Sequence, residues 1–430
     1  MDASELRTDL EALHAEAEAS TSIAAVTTVV NDYLNKFRSA SAKAAVQDAI
    51  ADVLPHMDAA AHPLPLAILL LLQQTAEDTP QRDQWIAYVS ALFHNGDITK
   101  IQQCPEPFMS LAQMLSRILL KCNQAIRGVL AVKALLQRLV APTTYCALHT
   151  EFAKLAVAAR LYRIAADVVA HPIYDIYKHG ADTERVMSYL YYKGLVQIGM
   201  KQHAAALHTL TLLSNYPGEA VSAIAVEGYK KLALLSVIVH GRAVKDKSSN
   251  SIGVSVLSRI NRLCSKYNAF AEAVVANKNV DRLMQSYTDM FREDNNMGLA
   301  KQCVEAAKRH RIQRLTKTFI TLSLDAITQR AALNDVREAQ AILEDMIHSN
   351  QLCATIDARA GVVSFHDRQA PNMSEQSLQE LQSNFQKTAE LYQAARRTNE
   401  AIETSTTYIK QSIQASGLSM DFDMATDYDM

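Results

Sequence analysis

The chain has few of the residues that make turns in β-rich folds. It contains 12 glycines and 10 prolines in 430 positions, each below half of average usage. A β-sandwich or barrel needs a turn about every 8–12 residues, so this scarcity argues against an all-β fold. Alanine, leucine and glutamine are abundant and favour helices. We expect a mainly α protein, built either as several domains or as one array of repeats.

Net charge, paired cysteines and long apolar runs are also lacking. The 43 basic and 45 acidic residues give a net charge of −2, so no global field attracts nucleic acid or anionic lipid. Six scattered cysteines are typical of free thiols in a reducing compartment. The apolar run at 66–72 is far shorter than the roughly 20 residues that span a bilayer, and no signal peptide is recognisable. We expect a soluble intracellular protein without a membrane partner.

Motifs of known catalytic sites are missing from the sequence. It has no phosphate-binding glycine loop, no G-x-S-x-G and no H-E-x-x-H, and its 13 histidines form no H-x-H pair. His203 and His208 lie five residues apart on one predicted helix, a poor spacing for a shared metal. We therefore expect no catalytic residues, no metal site and no cofactor.

Helical hairpins recur along the first three hundred residues. Predicted helices at 151–159, 189–196 and 229–235 each lead into a tight turn, and the units return after about 40 residues. A period of 34–47 residues is typical of a TPR-like α-solenoid. We assign residues 1–187 to N-terminal helical repeats and 188–308 to further repeats.

Residues 309–368 have the element order of a winged helix: helix, short strand, helix, helix and a hairpin that turns near Gly361. The second hairpin strand lacks the lysine or proline that usually protects an open sheet edge. The sequence therefore predicts that this strand forms a sheet edge that pairs with a neighbouring subunit. Its residues are Val362, Val363, Ser364 and Phe365.

Charge argues against DNA binding by this winged helix. Its third helix carries Asp335, Glu338, Glu344 and Asp345 against Arg337 alone, and these carboxylates would repel a polyanion. A basic run at 308–311 lies one element earlier. It is interpreted as a solvated helix end, with a docking patch for an acidic partner as the alternative.

Residues 369–416 form one long predicted helix, which begins near Ser374. Its apolar positions repeat at 3.5 residues, the period of a helix that supercoils with others. We predict that this seam enters a bundle with other subunits, with Asn399 helping to set the register. The seam residues are Leu378, Leu381, Phe385, Tyr392, Asn399, Ile402, Ile409 and Ile413. Residues 417–430 are acidic and predicted to be disordered.

Helical repeats, winged helix and long C-terminal helix together resemble the PCI-domain family, whose members are scaffold subunits of large complexes. The resemblance implies a PCI domain over residues 188–368, made of the repeats at 188–308 and the winged helix at 309–368. Particular segments are similar to the subunit 3 family of the COP-9 signalosome. They are EGYKK at 227–231, DNNMGLAKQC at 294–303, IQRLTKTF at 312–319, TLSL at 321–324 and GVVSFHD at 361–367.

The resemblance implies a non-catalytic scaffold in the complex that removes Nedd8 from cullin-RING ubiquitin ligases, located in cytoplasm and nucleus. Its partners would be other signalosome subunits, bound through the winged helix and the C-terminal helix, and cullin-RING ligases, bound indirectly or through the N-terminal repeats. The metalloprotease activity would belong to another subunit. The alternative is a PCI scaffold of the proteasome lid or of a translation initiation factor. Nucleic acid is not an expected partner.

Overall fold

The computed structural model describes most of the chain beyond residue 50 and divides it into two compact units, residues 1–365 and 366–430. The predicted acidic tail, 417–430, lies outside the described residues, as does most of the stretch before residue 50. The described ranges are 8–9, 12, 15, 50, 52–73, 80–177, 182–216, 220–244, 254–357, 359–366, 375–406 and 408–410.

Helices dominate the first unit, which confirms the mainly α prediction. The described helices are α1 (Pro63–Leu72), α2 (Pro80–Asn95), α3 (Ile98–Gln103), α4 (Glu106–Lys121), α5 (Ile126–Leu139), α6 (Ala147–Ala158), α7 (Tyr162–Val169), α8 (Thr183–Gly199), α9 (His203–Ser214), α10 (Ala223–His240), α11 (Val254–Leu263), α12 (Ser265–Ala276), α13 (Val280–Ser286), α14 (Thr288–Glu293), α15 (Met297–Thr316), α16 (Leu324–Ala331) and α17 (Val336–His348). The strands are β1 (Thr144–Tyr145), β2 (Asp175–Ile176), β3 (Thr321–Ser323), β4 (Ala354–Asp357) and β5 (Val362–Phe365).

Asparagine often occupies the left-handed position after a helix, where glycine is common in other proteins but scarce in this chain. The residue just past a helix end often needs a left-handed backbone, which asparagine tolerates better than most residues. At the end of α14, Asn295 has φ 55°, and the Asn296 N–H donates to the Phe291 carbonyl at 2.8 Å. The other left-handed non-glycine residues are Asn123, Arg160, Lys201, Asn277, Asn279, Ala332 and Asn350.

Three large apolar clusters follow one another along the first unit, and a fourth, smaller one contains Tyr145, Ala153 and Tyr189. The first is built from α1 to α8, the second mainly from α9 to α15, and the third from the winged helix. Tyr189 on α8 packs its ring 5.3 Å from that of Tyr145, which links successive repeats. The predicted hairpins α6–α7 and α8–α9 are confirmed, with left-handed turns at Arg160 and Lys201.

Two of the expected domain limits fall inside continuous helices. The step from residue 187 to 188 lies within α8, and residue 309 lies in the middle of α15. Helix α15 places Leu299 and Cys303 in the second cluster and Ile312 in the third. The repeats and the winged helix therefore share this helix and have no linker at that point.

The second unit contains α18 (Glu375–Glu403), which is shorter than the predicted single helix. The chain leaves the helix at Thr404, and the Ser405 hydroxyl accepts from the Tyr408 N–H at 3.3 Å to start another helical turn. A serine at this position caps a new helix start, which explains the interruption. Among the residues that the structure describes, no helix is both long and apolar enough to cross a bilayer.

Candidate assembly surfaces

The sheet of the winged helix has a different strand order from the predicted one. Its order is β3-β5-β4, so Val362, Val363, Ser364 and Phe365 form the central strand and not an edge. Val363 is fully buried. The prediction was wrong because β3, forty residues earlier, pairs with the outer side of β5, and no local sequence pattern specifies such long-range pairing. The two edges are β3 and β4.

The backbone of β5 alternates between its two neighbours. The Phe365 N–H donates to the Ile320 carbonyl at 2.7 Å, and the Leu324 N–H donates to the Gly361 carbonyl at 2.8 Å. These bonds turn the odd-numbered positions of β5 towards β3. Alternation along an antiparallel ladder turns the even-numbered positions towards β4.

The outer side of β4 is therefore a free edge in the described part of the sheet. Thr355 and Asp357 lie opposite the even-numbered positions of β5 and bond inward. The backbone N–H and C=O groups of Ala354 and Ile356 point outward, where they can form hydrogen bonds with another strand. Neither lysine nor proline blocks this strand, which has the sequence ATID.

The C-terminal helix presents its predicted seam to solvent. Leu381 is 65%, Phe385 77% and Tyr392 70% exposed, and Leu378 and Ile402 are about half exposed. Of the remaining seam residues, Ile409 lies beyond the interruption at Ser405, and Ile413 lies outside the described residues. Asn399 donates to Glu403 on its own helix at 2.7 Å. The bundle interface remains a prediction.

The basic run at 308–311 joins the repeats to the winged helix. Lys308 contacts Glu338 of α17 at 2.6 Å, and Arg309 contacts Asp345 of the same helix at 2.6 Å. The hydrogen bond from Lys308 lowers the pKa of the Glu338 carboxyl. Arg311 donates to the Ala331 carbonyl at 2.7 Å. The run is neither a solvated helix end nor a free docking patch, because each of its four residues bonds to a group 20 or more residues away within the same unit.

Gly241, in the turn after α10, packs against the same basic run from the side of the repeats. It has φ +63°, and an added Cβ would lie 2.7 Å from the His310 ring, which bonds to the Ile238 carbonyl at 2.9 Å. Arg314 donates to the Gly241 carbonyl at 2.7 Å. Only glycine fits here without strain.

Replacing Gly241 by alanine is expected to lower the free energy of unfolding by about 2–4 kcal/mol, because left-handed strain and a clash with His310 add. Gly361→Ala is the matched control. Gly361 has the same φ of +63° but nothing within 4 Å of its added Cβ, so only the strain of about 1–2 kcal/mol remains. Denaturant unfolding of both variants measures the difference. Equal losses would contradict the close contact with His310.

Comparison with known proteins identifies the family. Residues 24–252, more than half of the chain, match the family model for the N-terminal helical repeats of COP9 signalosome complex subunit 3, and residues 284–367 match the PCI domain. The chain belongs to the COP9 signalosome subunit 3 family. The subunit 3 of Dictyostelium discoideum is 26% identical over 352 residues, 80% of this chain and 83% of that protein. The Drosophila melanogaster subunit 3 is 25% identical over 383 residues, 84% of this chain and 86% of its own length.

Two of the segments that resemble the subunit 3 family meet in one partly buried network. Lys230, from EGYKK, contacts Asp294, from DNNMG, at 2.8 Å and Glu227 at 2.5 Å. The Tyr267 hydroxyl donates to Asp294 at 2.7 Å and accepts from the Asn296 amide at 2.9 Å. The network connects α10 and α12 to the turn before α15. Both segments therefore have a structural role.

Cys146 and His149 form a pair with the residue types of a nucleophilic site, which no sequence motif indicated. The Cys146 sulfur lies 3.6 Å from Nδ1 of His149. Burial raises the pKa of the Cys146 thiol to about 12 and lowers the pKa of His149 to about 4. A nucleophilic cysteine needs a lowered pKa and access to substrate. This pair is buried and neutral, and it has a structural role at the start of α6. No cluster of metal-binding side chains occurs in the described parts of the chain.

Proposed function

We propose that this chain is a non-catalytic scaffold subunit of the COP9 signalosome and that it helps to assemble the complex that removes Nedd8 from cullin-RING ligases. The name of both relatives and the match to the repeat model of the family support the proposal. The observation that carries it is that, among the described residues, the outer edge of β4 has no neighbouring strand and the seam of α18 is exposed. Chemistry would reside in another subunit, and the raised pKa of the buried Cys146 thiol beside His149 does not suit a nucleophile.

The proposed partners are other signalosome subunits, with cullin-RING ligases reached indirectly or through the N-terminal repeats. The proposed location is cytoplasm and nucleus. All six cysteines are free thiols, which fits a reducing compartment. Nucleic acid is not a proposed partner. The third helix of the winged helix, α17, carries the carboxylates Glu338 and Asp345, and the nearby cations Lys308 and Arg309 of α15 are paired with them.

A PCI scaffold of the proteasome lid or of an initiation factor would have the same winged helix. The repeat model of the signalosome subunit favours the first assignment, because it matches the part of the chain outside the PCI domain. Affinity purification of the full chain from cells, with identification of stoichiometric partners, tests the choice. We expect signalosome subunits. Recovery of lid or initiation factor subunits in their place would refute the assignment.

The free edge of β4 is proposed to pair with a strand of a neighbouring subunit. Ala354→Pro removes an outward N–H and places a ring on that edge without removing a bond to β5. We expect this variant to lose about tenfold or more in association with its neighbour while unfolding as the parent does. The measurement is co-purification of the variant with the remaining subunits.

Thr355→Ala is the control for the edge experiment. It changes an exposed side chain on the same strand and leaves every backbone N–H in place. Its association should equal that of the parent chain. If Ala354→Pro folds normally and still assembles like Thr355→Ala, the edge of β4 is not an interface.

A further inference from the structure

Helix α11 packs against the second apolar cluster with one face only. Val256 is 8%, Ile260 0% and the following Cys264 1% exposed. These positions recur every four residues, which places them on one side of the helix. The opposite side of α11 is turned to solvent.

That outer side carries a row of cations around a leucine. Arg259, Arg262, Leu263 and Lys266 follow one another at helical spacing and are exposed; we call them the basic stripe. Leu263 is 65% exposed. Cys264 separates α11 from α12, and its carbonyl accepts from the Tyr267 and Asn268 N–H groups, so Lys266 is the exposed cation at the start of the next helix. The part of the stripe on α11, residues 259–263, rises about 6 Å along the helix axis at 1.5 Å per residue.

The charges of the stripe are uncompensated within the described chain. Other cations of this unit, such as Lys230 and Lys308, contact carboxylates, whereas the three cations of the stripe form no ion pair with any described residue. No aspartate or glutamate occurs from residue 247 to residue 271, so the stripe also has no carboxylate close to it in the sequence. A local positive field thus stands on a chain whose net charge is −2.

We propose that the basic stripe docks an acidic helix of a partner protein, with carboxylates facing the three cations and an apolar side chain covering Leu263. Repeating charges at helical spacing complement a helix whose acidic residues recur in the same way. Nucleic acid fits less well, because a leucine takes the place of the aromatic platforms that stack bases. A membrane surface fits less well because one leucine is a small apolar face for insertion. The stripe shares no residue with β4 or α18, and the proposal does not depend on the proposed function.

The test uses the full chain and a defined probe. The probe is a fluorescein-labelled, alanine-rich helical peptide with glutamate at positions i, i+3 and i+7 and leucine at i+4, and its binding is followed by fluorescence anisotropy. We expect salt-sensitive binding that falls about tenfold or more when Arg259→Glu, Arg262→Glu and Lys266→Glu are combined. Leu263→Ser should lower the affinity about threefold or more, since it removes the apolar contact.

Two controls separate this site from general charge effects. Reversal of three exposed cations elsewhere, Arg160→Glu, Arg163→Glu and Lys201→Glu, should change the affinity by less than about twofold. The chain with the reversed stripe should in turn bind the same peptide with lysine in place of glutamate, and this gain also shows that the variant is folded.

The proposal fails if both triple variants lose binding equally, or if Leu263→Ser and the reversed stripe bind the peptide like the parent. A duplex DNA oligonucleotide and phosphatidylserine vesicles are measured in parallel. Stripe-dependent binding of either probe that is tighter than that of the peptide would assign the surface to that other class of partner and overturn the proposal.

Discussion

The double substitution Leu381→Asp with Phe385→Asp is expected to prevent the chain from joining its complex while leaving the fold of the chain intact. Both side chains are highly exposed, 65% and 77%, so their replacement removes no packing within the chain. Burying one such side chain is worth about 1.5–3 kcal/mol, so an assembly that covers both would lose about 3–6 kcal/mol, and more if the carboxylates stay desolvated. A loss of about 3 kcal/mol already weakens association more than a hundredfold. The measurement is co-purification with the remaining signalosome subunits.

The opposite face of α18 supplies the control for this experiment. Gln379 and Ser383 are also four residues apart and exposed, but they lie about half a turn of the helix away from the seam. Gln379→Asp with Ser383→Asp should assemble normally, and both double variants should unfold within about 0.5 kcal/mol of the parent. Stoichiometric recovery of the Leu381 and Phe385 variant with its partners would rule out burial of this seam.

Elements that depend on local pattern were predictable from the sequence. The 3.6-residue spacing located the helices of the hairpins, and Gly361, with φ +63°, was identified as the turn of the β4–β5 hairpin. That turn is also built from nearby residues, because the Asp357 carboxylate accepts from the N–H groups of Arg359 and Ala360. Local chemistry of this kind can be found in a single sequence.

Features that depend on distant partners were not predictable in the same way. The position of β5 in the sheet is decided by pairing with β3, which lies about forty residues earlier. Lys308 and Arg309 of the basic run pair with carboxylates of α17, about thirty residues later in the sequence. The spacing of charges along α15 does not predict these pairs. The end of α18 had a local signal that was overlooked, since Thr404 and Ser405 bond their side chains to the preceding turn.

A large loss of stability is expected from Asp294→Ala. The Asp294 carboxylate holds the Lys230 ammonium at 2.8 Å and accepts from the Tyr267 hydroxyl at 2.7 Å, and Tyr267 is only 2% exposed. Its removal leaves a buried hydroxyl without its acceptor and a lysine with Glu227 as its one remaining partner in the network. Leaving such groups unpaired costs about 1–3 kcal/mol each, so we expect a loss of about 2–4 kcal/mol in the free energy of unfolding.

Asp289→Ala is the matched control for that change. It is the same substitution five residues earlier, but the Asp289 side chain is 91% exposed and 3.7 Å from an exposed Arg292. An exposed pair of this kind contributes little, so the control should stay within about 0.5 kcal/mol of the parent chain. Denaturant unfolding compares both variants with Tyr267→Phe, which removes the hydroxyl together with its need for an acceptor. If Asp294→Ala is no less stable than Asp289→Ala, the two segments do not depend on this network.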